Sequence, residues 1–151
     1  MKLWKILHRA TLTGSAAAFS SALVAARLAR SEGASIYAPL NAVTHCLWPR
    51  TAFFEQRPSV RYTATGAGVH WGSSIFWGVL FEALRGAEED PARIVNAAVL
   101  TVGVAYVVDY HVVPQRVTPG FEAHIPRSRF GWIYGALALG LSAAAMVRAK
   151  R

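Results

Sequence analysis

Histidines and carboxylates are few in this chain, and most of those able to do chemistry lie at the ends of apolar segments. In residues 106–122, YVVDYHVVPQRVTPGFE, an apolar run stops and Asp109, His111 and Arg116 follow within about two helical turns. Imidazole and carboxylate groups bind zinc, iron or copper, ligate haem and carry protons. The pattern therefore allows a haem site, a transition-metal site or a proton-transfer site. The candidate residues for such a site are His45, His70, Asp109, His111 and His124.

The same residues also admit a structural interpretation. Each histidine stands alone in its segment, and the chain has no HExxH motif, no CxxCH motif and no Glu-x-x-His pair. Histidine, tyrosine, tryptophan and arginine commonly anchor helix ends at the headgroup level of a bilayer. A hydrogen-bonded belt of anchoring side chains is thus the ordinary interpretation, and a cofactor or proton site is the alternative. The supporting side chains in either case are Asn41, Thr44, Arg61, Ser74, Tyr110, Arg116 and Glu122.

Asp109 needs a partner in both interpretations. It lies at the C-terminal end of an apolar helix, where the helix dipole disfavours a carboxylate by about 0.3 to 1 kcal/mol. We expect Arg116, Arg61 or His70, in that order, to hold it. His111 follows at about 200° around the helix, so the two side chains cannot face the same partner, and one of them lies outside any site.

The serines on the second apolar segment do not indicate a hydrolase. Ser73 and Ser74 follow His70 by three and four residues, but no glycine-flanked GxSxG elbow surrounds them. A hydroxyl in a membrane helix usually bonds to its own backbone. The sequence leaves open whether the chain is an enzyme.

The composition indicates a membrane protein. Of the 151 residues, 54% are hydrophobic and only 16% are charged, and the sixteen Lys and Arg lie almost wholly between apolar runs. The net charge of +8 therefore suits the surface of a lipid bilayer, and no nucleic-acid partner is expected. The single cysteine, Cys46, excludes an internal disulfide and any multi-cysteine metal centre.

Four apolar segments predict an all-α, single-domain membrane four-helix bundle. A helix needs about 20 residues to cross a bilayer, and the four predicted spans cover residues 10–30, 67–85, 93–113 and 129–148. A short helix over residues 39–48, between Pro39 and Pro49, is expected to be interfacial or re-entrant. Four crossings place the loops before the second span and after the third span on one side, together with most of the histidines.

The orientation of the bundle follows only weakly from charge, because the sixteen Lys and Arg divide evenly between the two sides. The short basic N-terminal tail favours cytoplasmic termini in a bacterial-type inner (plasma) membrane. A cleaved signal peptide ending at the small residues between positions 20 and 26 is the alternative for the first segment. The length of that segment and its polar interruptions favour a retained helix.

Small residues recur every fourth position in the first and last spans, as they do where helix backbones approach closely. The predicted packing positions are Gly14, Ala18, Ala22, Gly131 and Gly135. They can pack within the bundle, in a homo-oligomer or against a larger membrane complex. The expected role is therefore that of a small structural or accessory membrane subunit, with the histidine site as the alternative function.

Two local features complete the prediction. Glu82 and Arg85 lie three residues apart near the end of the second span, which predicts an ion pair that snorkels toward the interface. The sequence Thr118-Pro119-Gly120-Phe121 has proline and glycine at the central positions of a type II turn. The loop after the third span is thus expected to adopt a defined conformation that includes this turn.

Overall fold

Helices form most of the computed structural model, which describes residues 3–87 and 89–149. In chain order the α-helices are α1 (Leu3–Ser31), α2 (Ala38–Val43), α3 (Thr65–Arg85), α4 (Pro91–Val107) and α5 (Phe130–Ala149). No strand occurs in the described residues. α1 packs against both α3 and α5, and α4 completes the bundle by packing against α5 and α3. The predicted all-α class is confirmed.

Three helices are long and apolar enough to cross a membrane. They are Leu3–Ser31, Pro91–Val112 and Arg127–Ala149. The second of these includes a π-helical turn, Val108–Val112, that continues α4. α3 has 21 residues but is less apolar, because it carries a histidine, two serines and an ion pair. Membrane crossing by α3 remains a prediction.

The starts and turns of the helices follow local sequence chemistry. Pro91 occupies the first turn of α4, and the Asp90 side chain accepts a hydrogen bond from Arg93 N at 2.9 Å, which caps the helix. Gly120 adopts φ 80° and ψ 0°, the geometry of the third position of a type II turn. A side chain there would also be strained against Ala42, because an added Cβ would lie 2.7 Å from its carbonyl oxygen.

α1 approaches its two neighbours closely because small residues line both contacts. A Cβ added to Gly14 would lie 2.5 Å from Ile75 Cα on α3. A Cβ added to Gly140 on α5 would lie 2.6 Å from Ala17 Cα. The hydroxyl of Ser20 lies 2.7 Å from Ala136 O and joins α1 to α5 by a hydrogen bond. The backbones therefore meet with almost no side-chain volume between them.

The predicted small-residue positions divide between these contacts and the outer surface. Gly14 and Ala18 are buried in the bundle, and Ala22 is half-buried. Gly131 and Gly135 are exposed, and an added Cβ at either would meet nothing within 4 Å. The pair does not pack inside the bundle, because α5 turns its Gly140 face toward α1, and packing of the pair against another copy or a larger complex remains a prediction.

A buried ionic cluster joins α3 to the C-terminal end of α5. Glu82 Oε2 accepts from Nε and Nη2 of Arg85, each at 3.1 Å, and Arg148 Nη2 lies 3.3 Å from the same oxygen. Glu82 is fully buried and Arg85 is 2% exposed. The predicted ion pair is present, but it does not snorkel outward, because the end of α5 covers it and contributes a second guanidinium.

We predict that Gly140→Ala destabilises the protein by about 1 to 3 kcal/mol, because backbone atoms of α1 occupy the space that the methyl needs. Gly135→Ala is the matched control on the same helix. It should be neutral or stabilising by up to about 1 kcal/mol, since alanine favours helix and the site is open. Unfolding of the detergent-solubilised protein by denaturant measures both. Equal effects of the two changes would contradict the α1–α5 contact.

We predict that Glu82→Gln costs about 3 to 5 kcal/mol of stability, because it breaks the buried ion pair with Arg85 by removing the carboxylate charge. Glu89→Gln removes the same charge from an exposed position and should change stability by less than about 0.5 kcal/mol. The same unfolding measurement compares them. A Glu82→Gln protein as stable as the parent would show that the ionic cluster contributes nothing.

Candidate functional site

An inner cavity of about 100 Å³ lies between α1, α3 and α5, beneath residues 117–121 of the loop that precedes α5. Its polar lining residues are Ser21, His70, Ser73, Ser74, Asp109, Thr118 and Tyr134. Trp77, Phe121 and Leu137 supply apolar walls. A single water needs about 10 to 15 Å³, so the cavity has room for several waters or one small polar molecule.

Asp109 faces this inner cavity and is held by α5. It lies in the π-helical turn that ends the third predicted span, and its Oδ2 accepts a hydrogen bond of 2.6 Å from the Tyr134 hydroxyl. A hydroxyl that donates to a carboxylate at this distance forms a strong, charge-assisted hydrogen bond. The helix end thus presents to the cavity a carboxyl group that has one oxygen fixed by Tyr134.

The partners expected for Asp109 from the sequence are wrong, because each of them is committed elsewhere. Arg116 Nε donates to Cys46 O at 3.2 Å. The Arg61 guanidinium lies 4.8 Å from the centre of the Trp48 ring. His70 bonds to α1.

His70 reaches across the bundle to the backbone of α1. Its Nε2 lies 3.2 Å from Ala18 O and 3.1 Å from Ser21 Oγ. The Ser21 hydroxyl lies 2.7 Å from Ala17 O and can give its proton there, so its oxygen accepts from the imidazole. These partners assign the proton to Nε2 and leave a lone pair on Nδ1. The ring also meets Phe121 edge to face, at 6.0 Å between centres.

His45 connects the segment between α1 and α3 to the loop that precedes α5. Its Nδ1 lies 2.8 Å from Ala42 O and its Nε2 lies 2.9 Å from Gln115 O, while the ring stacks on Phe53 at 4.7 Å. A metal ligand needs an uncommitted ring nitrogen. Since both nitrogens are engaged by carbonyl oxygens, this predicted ligand serves the packing of the loops.

The predicted interfacial helix is shorter than residues 39–48. α2 ends at Val43, and a 3₁₀ turn, Thr44–Cys46, follows. The polar face expected to serve a site is used to fold the loop. Asn41 Nδ2 donates to Glu55 O at 3.0 Å and to Arg57 O at 3.1 Å, and the Thr44 hydroxyl donates to Asn41 O at 2.7 Å.

The last two candidate histidines lie apart from the inner cavity. His111 is exposed and meets the ring of Tyr106 at 5.8 Å between centres, so it diverges from Asp109 as the helical spacing predicts. His124 is half-buried in the loop before α5, where burial lowers the pKa of its imidazole and a backbone hydrogen bond at Phe53 opposes that shift. Within residues 3–87 and 89–149, no three His, Cys, Asp or Glu side chains form a group able to hold a metal ion.

A second, outer pocket of about 590 Å³ lies on the loop side of the bundle. Its polar lining residues are His45, Tyr110, Gln115, Arg116, Thr118, Glu122 and Arg127. Thr118 lines both the inner cavity and this outer pocket, and its hydroxyl lies 2.8 Å from Glu122 Oε1. The hydrogen-bonded pair of Thr118 and Glu122 therefore lies where the two spaces adjoin.

Sequence reasoning did not identify Tyr134 and Ser21 as site residues. Tyr134 carries a hydroxyl near the start of a mainly apolar span, and such a hydroxyl needs a partner when it is buried. That signal could have paired it with a carboxylate on another helix. Ser21 lies among small residues of α1 and carried no comparable signal.

Comparison of the whole chain with known protein families, with curated proteins and with solved structures returned no match.

We predict that part of the protein's stability depends on pH through His124. Its pKa is lowered from 6.5 in the folded state, so the unfolded chain binds the proton more readily. The contribution of His124 to stability is fully present above the pKa that its imidazole has in the unfolded chain. It is lost as the pH falls below about 6.5. Thermal unfolding between about pH 7.5 and pH 5.5 should show a smaller decline for His124→Gln than for the parent. The stability of His111→Gln, which changes an exposed histidine, should decline with pH as that of the parent does. A decline for His124→Gln equal to that of the parent would contradict the prediction.

Proposed function

We propose that this chain is a four-span, bacterial-type inner-membrane protein in which α1, α3, α4 and α5 all cross the bilayer. The composition of three helices supports this directly. The surface of α3 supports it for the fourth, because its large exposed side chains are apolar, while its charged residues are buried. Those exposed side chains are Val69, Trp71, Phe76 and Leu84. We infer cytoplasmic termini from the basic N-terminal tail.

Within this bundle, we propose that the inner cavity is a proton-binding site. The observation that carries this proposal is the convergence of a carboxyl, a phenol and an imidazole on one small cavity. Asp109 and Tyr134 share a hydrogen bond of 2.6 Å, and His70 lines the same cavity. Ionisable groups at membrane depth commonly belong to proton relays or ligand sites. The carboxyl group would take up and release the proton, and the tyrosine would orient it.

The contacts around Thr118 supply a route for protons between the inner cavity and the loop side. Its hydroxyl bonds to Glu122, which also lines the outer pocket. A proton can move along hydroxyl and carboxyl groups joined by hydrogen bonds, with water between them where space allows. We do not propose a metal or haem site, since both ring nitrogens of His45 contact carbonyl oxygens and no three-ligand group of His, Cys, Asp or Glu occurs among the described residues.

A structural or accessory subunit is the second candidate function, and the outer face of α5 favours it. Gly131 and Gly135 are open, and the neighbouring Trp132 and Leu139 are 71% and 65% exposed. A small-xxx-small pair facing outward allows close packing of another membrane helix. The partner would be a second copy or a larger membrane complex. This role does not require the inner cavity to bind protons.

Infrared difference spectroscopy of the protein in nanodiscs, recorded across a pH change, tests the proton-binding proposal. A protonated carboxyl group gives a carbonyl band well separated from those of carboxylates. We expect one such band to disappear in Asp109→Asn. In Tyr134→Phe the band should persist but shift, because the carboxyl loses its hydrogen bond.

Glu89→Gln is the control for this experiment, since Glu89 is exposed and distant in the chain from the cavity residues. It should leave the Asp109 band unchanged. A folded parent protein whose spectrum shows no carboxyl band sensitive to Asp109→Asn would reject the proton-binding site and favour the accessory role.

A further inference from the structure

The inner cavity is lined by a carboxyl group that no positive side chain balances. Asp109 Oδ2 accepts from the Tyr134 hydroxyl at 2.6 Å, and Asp109 forms no ion pair with a described lysine, arginine or histidine. No lysine or arginine is among the described residues that line the cavity. A carboxylate at membrane depth is costly unless a cation or hydrogen-bond donors compensate its charge. The ionised cavity is therefore complementary to a positively charged ligand.

The other ionisable groups around Asp109 do not supply that positive charge. From α5, Tyr134 donates a hydrogen bond and is neutral. From α3, His70 contacts α1 through Nε2, and no acceptor contacts its Nδ1 among the described residues, which indicates a neutral ring. From the loop, Glu122 bonds to Thr118 and adds a second negative group nearby. α1 contributes no ionisable side chain to the lining.

The inner cavity reaches the surface of the bundle beside apolar side chains of α3. Two of its lining residues are exposed, Ser73 on α3 and Val117 on the loop. Val69 and Phe76 lie one turn before and one turn after Ser73 on the same face of α3, and they are 36% and 64% exposed. In the four-span arrangement this apolar rim faces the acyl chains. A ligand dissolved in the bilayer can therefore reach the cavity from the side.

The walls and the size of the inner cavity restrict the group that fits. Trp77, Phe121 and Tyr134 contribute aromatic rings to the lining, and a cation over the face of such a ring is attracted to it. A volume of about 100 Å³ accommodates an ammonium group and a few carbon atoms. The rest of a longer ligand has to remain outside, beside the apolar rim.

We propose that the inner cavity binds the ammonium group of an alkylamine dissolved in the membrane. The ammonium would donate to the Asp109 carboxylate, and the alkyl chain would leave the cavity at Ser73 and lie along Val69 and Phe76. This inference rests on the proposed four-span arrangement and on proton binding at Asp109, and it identifies the class of ligand that competes with the proton.

Binding to the protonated site exchanges one cation for another. The O–H bond of the Asp109 carboxyl breaks, its proton leaves to solvent, and the ammonium group pairs with the carboxylate that remains. No covalent bond of the amine forms or breaks. Each amine therefore releases one proton when the carboxyl starts protonated, and none when it starts ionised.

Calorimetric titration of the full chain in phosphatidylcholine nanodiscs tests this inference. The probes are dodecylammonium, the uncharged dodecanol and the short, water-soluble ethylammonium, with partition into empty nanodiscs subtracted. We expect dodecylammonium to bind about tenfold or more tightly than dodecanol, because only the amine pairs with the carboxylate. Ethylammonium should also bind about tenfold or more weakly than dodecylammonium, because it lacks the chain. Dodecylammonium, added at a pH where the infrared band of the protonated Asp109 carboxyl is present, should remove that band.

Variants assign the effect to the inner cavity. Asp109→Asn keeps the shape of the side chain but removes its charge, and it should abolish the preference for the amine over the alcohol. Ser73→Leu places a larger side chain at the opening and should weaken dodecylammonium binding. Gly72→Leu is the matched control, since Gly72 is the exposed neighbour, does not line the cavity and has open space for a side chain. It should bind the amine as the parent does.

Equal binding of amine and alcohol by a folded parent protein that shows the Asp109 band would overturn the inference and leave the proton-binding proposal standing. An undiminished amine preference in Asp109→Asn would also overturn it. Ethylammonium that binds as tightly as dodecylammonium would reject entry from the bilayer, in favour of a soluble amine. Absence of the Asp109 band in the parent would instead reject the proposed function.

Discussion

The close approach of α1 to α3 and α5 is the constraint on which the rest of the structure depends. Glycines at positions 14, 78 and 140 bring helix backbones together without intervening side chains. Near the same α1–α3 contact, His70 on α3 can therefore reach the carbonyl of Ala18 on α1. A larger residue on either helix would separate the two and leave a buried imidazole without its acceptor, at a cost of about 1 to 3 kcal/mol.

Inside the bundle, the role of each polar side chain then depends on whether the protein supplies its hydrogen-bond partners. Where the protein supplies a partner, the polar side chain acts as a structural bond, as His45 does between the loops and Glu82 does between α3 and α5. Where partners are incomplete, space remains beside the group. Asp109 has one oxygen bonded to Tyr134 and lines the inner cavity, and the proposed proton-binding function follows from that position.

The loops contribute to the site as well as the helices. Residues 117–121 cover the inner cavity, and the left-handed conformation of Gly120 allows that segment to lie against Ala42 and His45. Arg129 at the start of α5 pairs with Glu32 just after α1, at 3.0 Å, and adds a hydrogen bond to Ser31 at 2.9 Å. These contacts hold the two loops together on one side of the bundle, which is where an even number of crossings predicts them.

The sequence by itself determined the helical class, the approximate helix limits and the glycine-dependent turn, because hydrophobic runs, proline and glycine act through local backbone geometry. It also determined that Asp109 and His111 point in different directions, since both belong to one helical segment. Only the tertiary structure decided which face of α5 meets α1, so that Gly140 packs there and Gly131 and Gly135 do not. It likewise decided that Tyr134, and none of the predicted cations, holds Asp109. Such pairings depend on the rotation and depth of each helix against its neighbours, and those are set by the packing of the whole bundle at once.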